Sequence, residues 1–293
     1  MAVCVREPCI VYIISTASIH ASRLSFLFVT GTYTLQQDSL LRRAQFSKQF
    51  EDKVAIVTGA GSGIGRATAE QLAAGGATVF CLDVTGADAA AATICSAGHR
   101  AFPLTHDVRH LAGWTELVAD IMKRFGRIDI LVNNAGIAVG GDTAAEISEE
   151  VWDRIMDINA KGVWLGMRAV LPVMIAQKGG KICNVASTAA HIGLRDAAAY
   201  CASKGAVLSL TRQAGVQYAP LNIQINSVSP GTTMTGIQRD VTDAQRAAFL
   251  PLTPIGRFAE SPEIAAVIVF LCSEGSSFVT ATDVSIDGGM VAL

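Results

Sequence analysis

From Lys53 to the C-terminus, short apolar runs rich in β-branched residues alternate with longer alanine-rich stretches, and this alternation constrains the fold more than any other feature. The segments "KVAIVTG", "ATVFCLD", a run inside "HRAFPLTHDV", "IDILVNNAG", "KICNVAS", "NIQINSVSP" and "TDVSIDGG" read as strands. Between them "GIGRATAEQLAAGG", "AGWTELVADIMKRFG", a long stretch from Glu149 to Ala176, Ala198 to Tyr218 and "PEIAAVIVFLCSE" read as helices. Strands without a polar face need cover on both sides, which points to a parallel sheet with helices on each face. Right-handed crossovers then predict a single α/β, Rossmann-type, doubly wound sheet of about seven strands, whose ligands sit at the carboxyl ends of the strands. No repeat or linker divides residues 51–293, which read as one catalytic domain.

Residues 1–50 differ in character. Their apolar patches are interrupted by His20 and Arg23, so no uninterrupted run reaches the ~18 apolar residues of a membrane span. Arg42, Arg43 and Lys48 against only Glu7 and Asp38 leave room for an organelle-targeting peptide; a secretory signal fits worse. The favoured expectation is a disordered leader or an over-extended start, with the protein cytoplasmic and organelle targeting left open. The chain carries a formal net charge of −2, which speaks against nucleic acid as a partner. Its seven cysteines are scattered and its five histidines are not clustered, so neither a disulfide framework nor a metal site is expected.

"TGAGSGIG", Thr58 to Gly65, joins the first strand to the first helix. Gly59, Gly63 and Gly65 allow a tight turn and close approach of backbone to a ligand, and the helix that starts there offers N–H groups and a positive dipole end to a pyrophosphate. Ser62 and Ile64 complete that cradle. The spacing is G-x-x-x-G-x-G, which also suits a plain tight turn; its place after the first strand favours dinucleotide binding. Asp83 ends the second strand, where a carboxylate accepts from both adenine-ribose hydroxyls and repels a 2′-phosphate. No Lys or Arg follows it in "DVTGAD", so the expected cofactor is NAD; a helix cap or loop carboxylate is the bland alternative.

Tyr200 and Lys204, in "AAAYCASKGAV", are one helical turn apart and leave the same helix face. Alone they suit a surface pair on an amphipathic helix better than a functional one. As a functional pair, the ammonium, with the positive nicotinamide ring of bound NAD, would favour the phenolate and lower a phenol pKa of about 10 by about three units, which takes roughly 4 kcal/mol.

With these residues in view, 51–293 resembles the short-chain dehydrogenase/reductase family in its form of ~250 residues. "TGAGSGIG" resembles the family's cofactor turn, and Asp107, with Val108 after it, the adenine-contacting aspartate. "NNAG", Asn133 to Gly136, resembles the segment supporting the adenosine side, with Asn133, Ala135 and Gly136 as its contacts. Asn159, Ser187, Tyr200 and Lys204 match the catalytic tetrad. "SPGTTMT" resembles the turn containing Pro230 and Gly231, with Thr233 and Thr235 toward the nicotinamide end. The chain departs in having Ala186 beside Ser187 and Ala281 where glycine is frequent. The resemblance implies hydride transfer between a secondary alcohol and NAD, with Tyr200 as acid/base. It also implies Ser187 holding the substrate oxygen, Lys204 on the nicotinamide ribose, and Asn159 fixing a water relay. Homotetramers or dimers are its usual assemblies. Substrate choice is expected from "AHIGLRD" and from about Thr232 to Arg257, whose Met234, Ile237, Phe249, Leu250 and Leu252 suggest a neutral alcohol or ketone. A 3-oxoacyl-[acyl-carrier-protein] reductase and an inactive NAD-binding sensor or scaffold stand as alternatives.

Overall fold

A computed structural model of the chain describes residues 48–141, 143–235 and 249–293, all within the compact unit Leu41–Leu293. The elements follow the alternation of the sequence: β1 (Val54–Thr58), α1 (Gly63–Ala74), β2 (Thr78–Asp83), α2 (Ala87–Ser96), β3 (Arg100–Thr105), α3 (Leu111–Phe125) and β4 (Ile130–Asn133). There follow α4 (Glu149–Met156), α5 (Gly162–Gln177), β5 (Gly180–Val185), α6 (Ala198–Tyr218), β6 (Ile223–Pro230), β7 (Thr233–Met234), β8 (Ala259–Glu260), α7 (Ser261–Leu271) and β9 (Asp283–Ile286). Seven strands pair in the order β3-β2-β1-β4-β5-β6-β9, every pair parallel, and β7 and β8 form a small ribbon apart from them.

Period-two alternation explains the two cores. Ala55 and Val57 of β1 face a cluster with Leu72, Ile94, Ile264 and Ile268, contributed by α1, α2 and α7. Val54 and Ile56 face the opposite cluster with Trp114, Ile121, Val170 and Val207, contributed by α3, α5 and α6. Trp114 is fully buried and its indole N–H donates to Val108 O at 3.1 Å, so the bulky ring leaves no polar atom unpaired. Pro103 sits in β3, an edge strand, where a missing N–H costs least.

Three details differ from the expectation. A helix, α2, lies between β2 and β3; its alanine-rich sequence carries too little apolar periodicity to announce itself. The single long helix from Glu149 is α4 and α5 joined through a π-helical turn, Asp157–Lys161. Phe50, placed with the leader by the sequence reading, is buried in the first core cluster, and its N–H donates to Gly75 O at 2.7 Å. Cys4, Cys9 and nearly all of the leader lie outside the described residues. The described cysteines are free thiols, and burial pushes Cys81 and Cys272 up to about 12. Among the described residues no helix is long and apolar enough to cross a membrane.

Candidate active site

The strand order reverses direction at β1, where the connection from β3 passes over to β4, and a crevice opens there beyond the strand ends. A cavity of about 400 Å³ occupies it, lined among others by Gly59, Ser62, Gly63, Ile64, Asp83, Asp107, Val108, Ala135 and Gly136. A smaller cavity of about 130 Å³ adjoins it, lined by Ser187, Tyr200, Lys204, Pro230, Gly231 and Thr233. Ile64, Asn134, Gly136 and Thr235 line both.

The glycine turn is shaped by close approach. A Cβ on Gly65 would collide with the Gly59 carbonyl oxygen and lie 2.5 Å from the Asn134 amide nitrogen. Asn134 in turn donates to Thr58 O at 3.0 Å, and the Thr58 hydroxyl accepts from the N–H groups of Asn134 and Ala135 at 2.9 and 3.0 Å. The turn after β1 and the segment after β4 are therefore one hydrogen-bonded unit. Ser62 begins α1 without a side-chain bond to the first-turn amides. Asp83 accepts from Gly61 N–H at 2.9 Å through one oxygen and from Thr85 N–H at 3.1 Å through the other, which leaves lone pairs on both for further donors. Such a set suits a dinucleotide: a glycine cradle at a helix start, a carboxylate at the end of β2, and a His106 ring whose buried Nε2 has no partner among the described residues.

Asp107 lines the larger cavity, but its carboxylate is engaged by Arg109, through the backbone N–H at 3.0 Å and the guanidinium at 2.6 and 3.0 Å. These bonds hold its pKa down to about 2. Arg109 and His106 line the same cavity and were not singled out from the sequence. Asn133 lies off both cavities: its amide donates to Asn184 Oδ1 at 2.9 Å across the β4–β5 pair. Its neighbour Asn134 is the residue that faces the ligand space, as alternation along β4 requires. Gly65, too, lies behind the lining.

Ser187, Tyr200 and Lys204 come together in the smaller cavity. Ser187 follows β5 and opens a 3₁₀ turn, Thr188–Ala190; its hydroxyl accepts from Ala189 N–H at 3.2 Å and is bonded to the Tyr200 phenol. Lys204 is buried, donates from Nζ to Val185 O at 2.8 Å, and lies 5.7 Å from the Tyr200 ring centroid. Burial holds the lysine down to about 8. The phenol is shifted in the direction opposite to the expectation: desolvation pushes it up, and the Ser187 bond only partly opposes this. The ammonium is directed at a main-chain carbonyl, and its attraction does not overcome the loss of water around the ring.

Asn159 stands in the π-helical turn and lines neither cavity. Its side chain accepts from Ile137 N–H at 2.8 Å and donates to Ile137 O at 2.9 Å and to Ser203 Oγ at 3.1 Å. It thereby ties the segment after β4 to α6. Gly136 fits between the two: a Cβ there would lie 3.2 Å from Asn159 Oδ1 and 3.4 Å from Lys204 Nζ. The π-helical turn aims Asn159 inward, a distortion often found at functional sites.

A doubly wound sheet with a glycine-rich turn after β1, and a serine, tyrosine and lysine grouped beyond its carboxyl end, defines a dinucleotide-dependent oxidoreductase. The family model described as enoyl-(acyl carrier protein) reductase matches residues 59–291. Levodione reductase of Leifsonia aquatica is 39% identical over 256 residues, 83% of this chain and 96% of that protein. An NAD-dependent glycerol dehydrogenase of Listeria innocua is 40% identical over 249 residues, again 83% and 96%. The crystal structure of gox2181 superposes with a TM-score of 0.82 at 31% identity, covering 84% of this chain and 98% of that one. The chain belongs to the short-chain dehydrogenase/reductase family and is an NAD(P)-dependent oxidoreductase acting on CH–OH groups.

Proposed function

We propose that this chain is an NAD-dependent dehydrogenase that interconverts a neutral secondary alcohol and its ketone, with Tyr200 as acid/base. One observation carries the reading: Ser187, Tyr200 and Lys204 converge on a single cavity that adjoins the glycine turn and Asp83. Bound NAD supplies the hydride acceptor. Gly59, Ser62, Gly63 and Ile64 hold its pyrophosphate against the start of α1, with Gly65 packed behind them against Gly59, and Asp83 takes the adenine-ribose hydroxyls. Ser187 Oγ donates to the substrate oxygen, and Tyr200 Oη exchanges a proton with it. Lys204 supplies positive charge beside the phenol and, in the family's manner, binds the nicotinamide ribose. Asn159 holds the Ile137 segment that borders the site.

The NAD preference rests on Asp83 and on the absence of a cation beside it in "DVTGAD". It agrees with the name of the Listeria relative. Neutrality of the substrate rests on Met234, Leu250 and Leu252, which are exposed on the described parts of 232–257; Ile237 lies outside the described residues. Exposed Trp152 and Trp164 on α4 and α5 support a homo-oligomer, which light scattering would test. The decisive assay follows dinucleotide reduction by the purified chain against a panel of cyclic, steroidal and sugar alcohols. NAD should outperform NADP by at least about 10-fold in kcat/KM. An NADP preference would sink the Asp83 reading; binding of NAD without turnover of any alcohol or ketone would sink the catalytic one.

A further inference from the structure

The turn after Ser187 is held to itself by short-range bonds: Ala190 N–H to Ser187 O at 3.0 Å, His191 N–H to Thr188 O at 2.9 Å, and Ile192 N–H to Thr188 O at 3.0 Å. None of these ties it to the sheet. His191, the residue that ends the turn, reaches outward instead. Its Nε2 lies 2.8 Å from Asp283 Oδ2 and 3.1 Å from Ser229 Oγ. The other oxygen of Asp283 accepts from the Ser227 hydroxyl at 2.6 Å. Ser227 and Ser229 belong to β6 and Asp283 to β9, and Ser227 pairs with Asp283 in the register of those strands. The Asp283 side chain is only 7% exposed, so each of its oxygens needs a donor from the protein. Ser229 immediately precedes Pro230 and Gly231, which line the cavity with Ser187, Tyr200 and Lys204.

We propose that His191 is a positioning residue for Ser187, fastening the turn behind that serine to Asp283 and Ser229 and so setting the span between the Ser187 hydroxyl and the Pro230–Gly231 turn. The inference rests on the reading that Ser187 binds the substrate oxygen. The ring donates from Nε2 to the Asp283 carboxylate, which fixes its tautomer, and the nearby Ser229 hydroxyl shares the contact. Loss of the ring leaves a buried carboxylate short of one donor and the turn free to shift, and a displacement of about 1 Å at a reacting oxygen can cost about 100-fold in rate.

The test compares His191→Ala, His191→Gln, Ser187→Ala and the Ser187→Ala/His191→Ala double variant in the full chain. His191→Ala should lower kcat about 10- to 100-fold, with KM and the NAD dissociation constant within about 3-fold of the parent. Glutamine places a donor near the position of Nε2 and should restore most of the loss. In the Ser187→Ala background the His191 change should have little further effect, because the group through which it acts is gone. Hydrogen exchange at the amides of residues 189–192 should quicken in His191→Ala, a readout that needs no turnover. An unaltered kcat with unaltered exchange overturns the proposal, as does an equal loss in the Ser187→Ala background. A parent enzyme that turns over no alcohol refutes the proposed function, and exchange at 189–192 then still decides whether His191 holds the turn.

Discussion

At the amino end of the sheet a cleft of about 570 Å³, lined by Lys53, Arg127, Asp129, Lys178 and Lys181, exceeds the 400 Å³ cavity at the carboxyl end. Size therefore does not single out the site; the disposition of charge does. At the amino end the carboxylate of Asp129 is satisfied by its own surroundings: Arg127 at 2.6 Å, Val54 N–H at 2.9 Å and Lys53 at 3.9 Å. At the carboxyl end Asp83 keeps lone pairs in reserve, and Ser187, Tyr200 and Lys204 line one space. Strand β5 places a buried lysine near each end. Near its start, Lys181 is buried with no hydrogen-bond partner among the described residues and is shifted downward by burial. At its end, the Val185 carbonyl orients Lys204 beside Tyr200. Both ends tolerate a buried lysine, but only at the carboxyl end is that lysine paired to a main-chain carbonyl beside a tyrosine and a carboxylate with spare lone pairs.

The contrast can be broken by variants that move one property without the other. Tyr200→Phe should have the largest effect, a fall of about 10³-fold or more in kcat with an unchanged melting temperature and NAD affinity, read by steady-state kinetics and calorimetry. Undiminished turnover would end the proposed role.

The second test is a pH dependence at Lys204. Its pKa is held at about 8 in the folded chain against an ordinary value of 10.5. Below pH 8 both states carry the proton. Between 8 and 10.5 only the unfolded chain does, so stability rises with pH across that window, and above it the rise ends. Measured by denaturant titration, the parent should gain on the order of 3 kcal/mol over this window relative to Lys204→Met, which lacks the titrating group. Parallel curves would show that burial does not depress this lysine.

At the amino end, Asp129→Asn should cost about 2 kcal/mol of stability, because Arg127 and Val54 N–H lose a charged acceptor, while kcat at permissive temperature stays within about 2-fold. A large catalytic loss would dissolve the distinction between the two ends. The smallest effect is expected at Ala281, which has φ +58 in the loop leading to β9. Relieving that left-handed backbone by Ala281→Gly should raise stability by about 1 kcal/mol, seen as a higher denaturant midpoint with activity unaltered.

Much of this was legible in the sequence because it depends on local pattern. Fully apolar strands alternating with helices indicated the doubly wound sheet, and the place of the glycine turn after β1 pointed to its carboxyl end. What escaped depends on contacts across the chain. The Arg109 clasp on Asp107 is a side-chain choice that spacing leaves open. Asn133 and Asn134 are identical in type, and only the pleat of β4 separates the one that pairs with Asn184 from the one that meets the glycine turn. The upward shift of Tyr200 follows from the depth of its pocket, which helical spacing to Lys204 does not report. Ala281 was visible as a departure from the family, but its strain needs the backbone angle.

The π-helical turn at Asp157–Lys161 has a consequence for the whole rod from Glu149 to Gln177. One additional residue per turn advances the helix by about 100°, so the stripes before and after it are out of phase. The earlier stripe, with the fully buried Ile155, docks on α6; the later one meets α3 and β4. A phase slip thus lets one rod serve two partners.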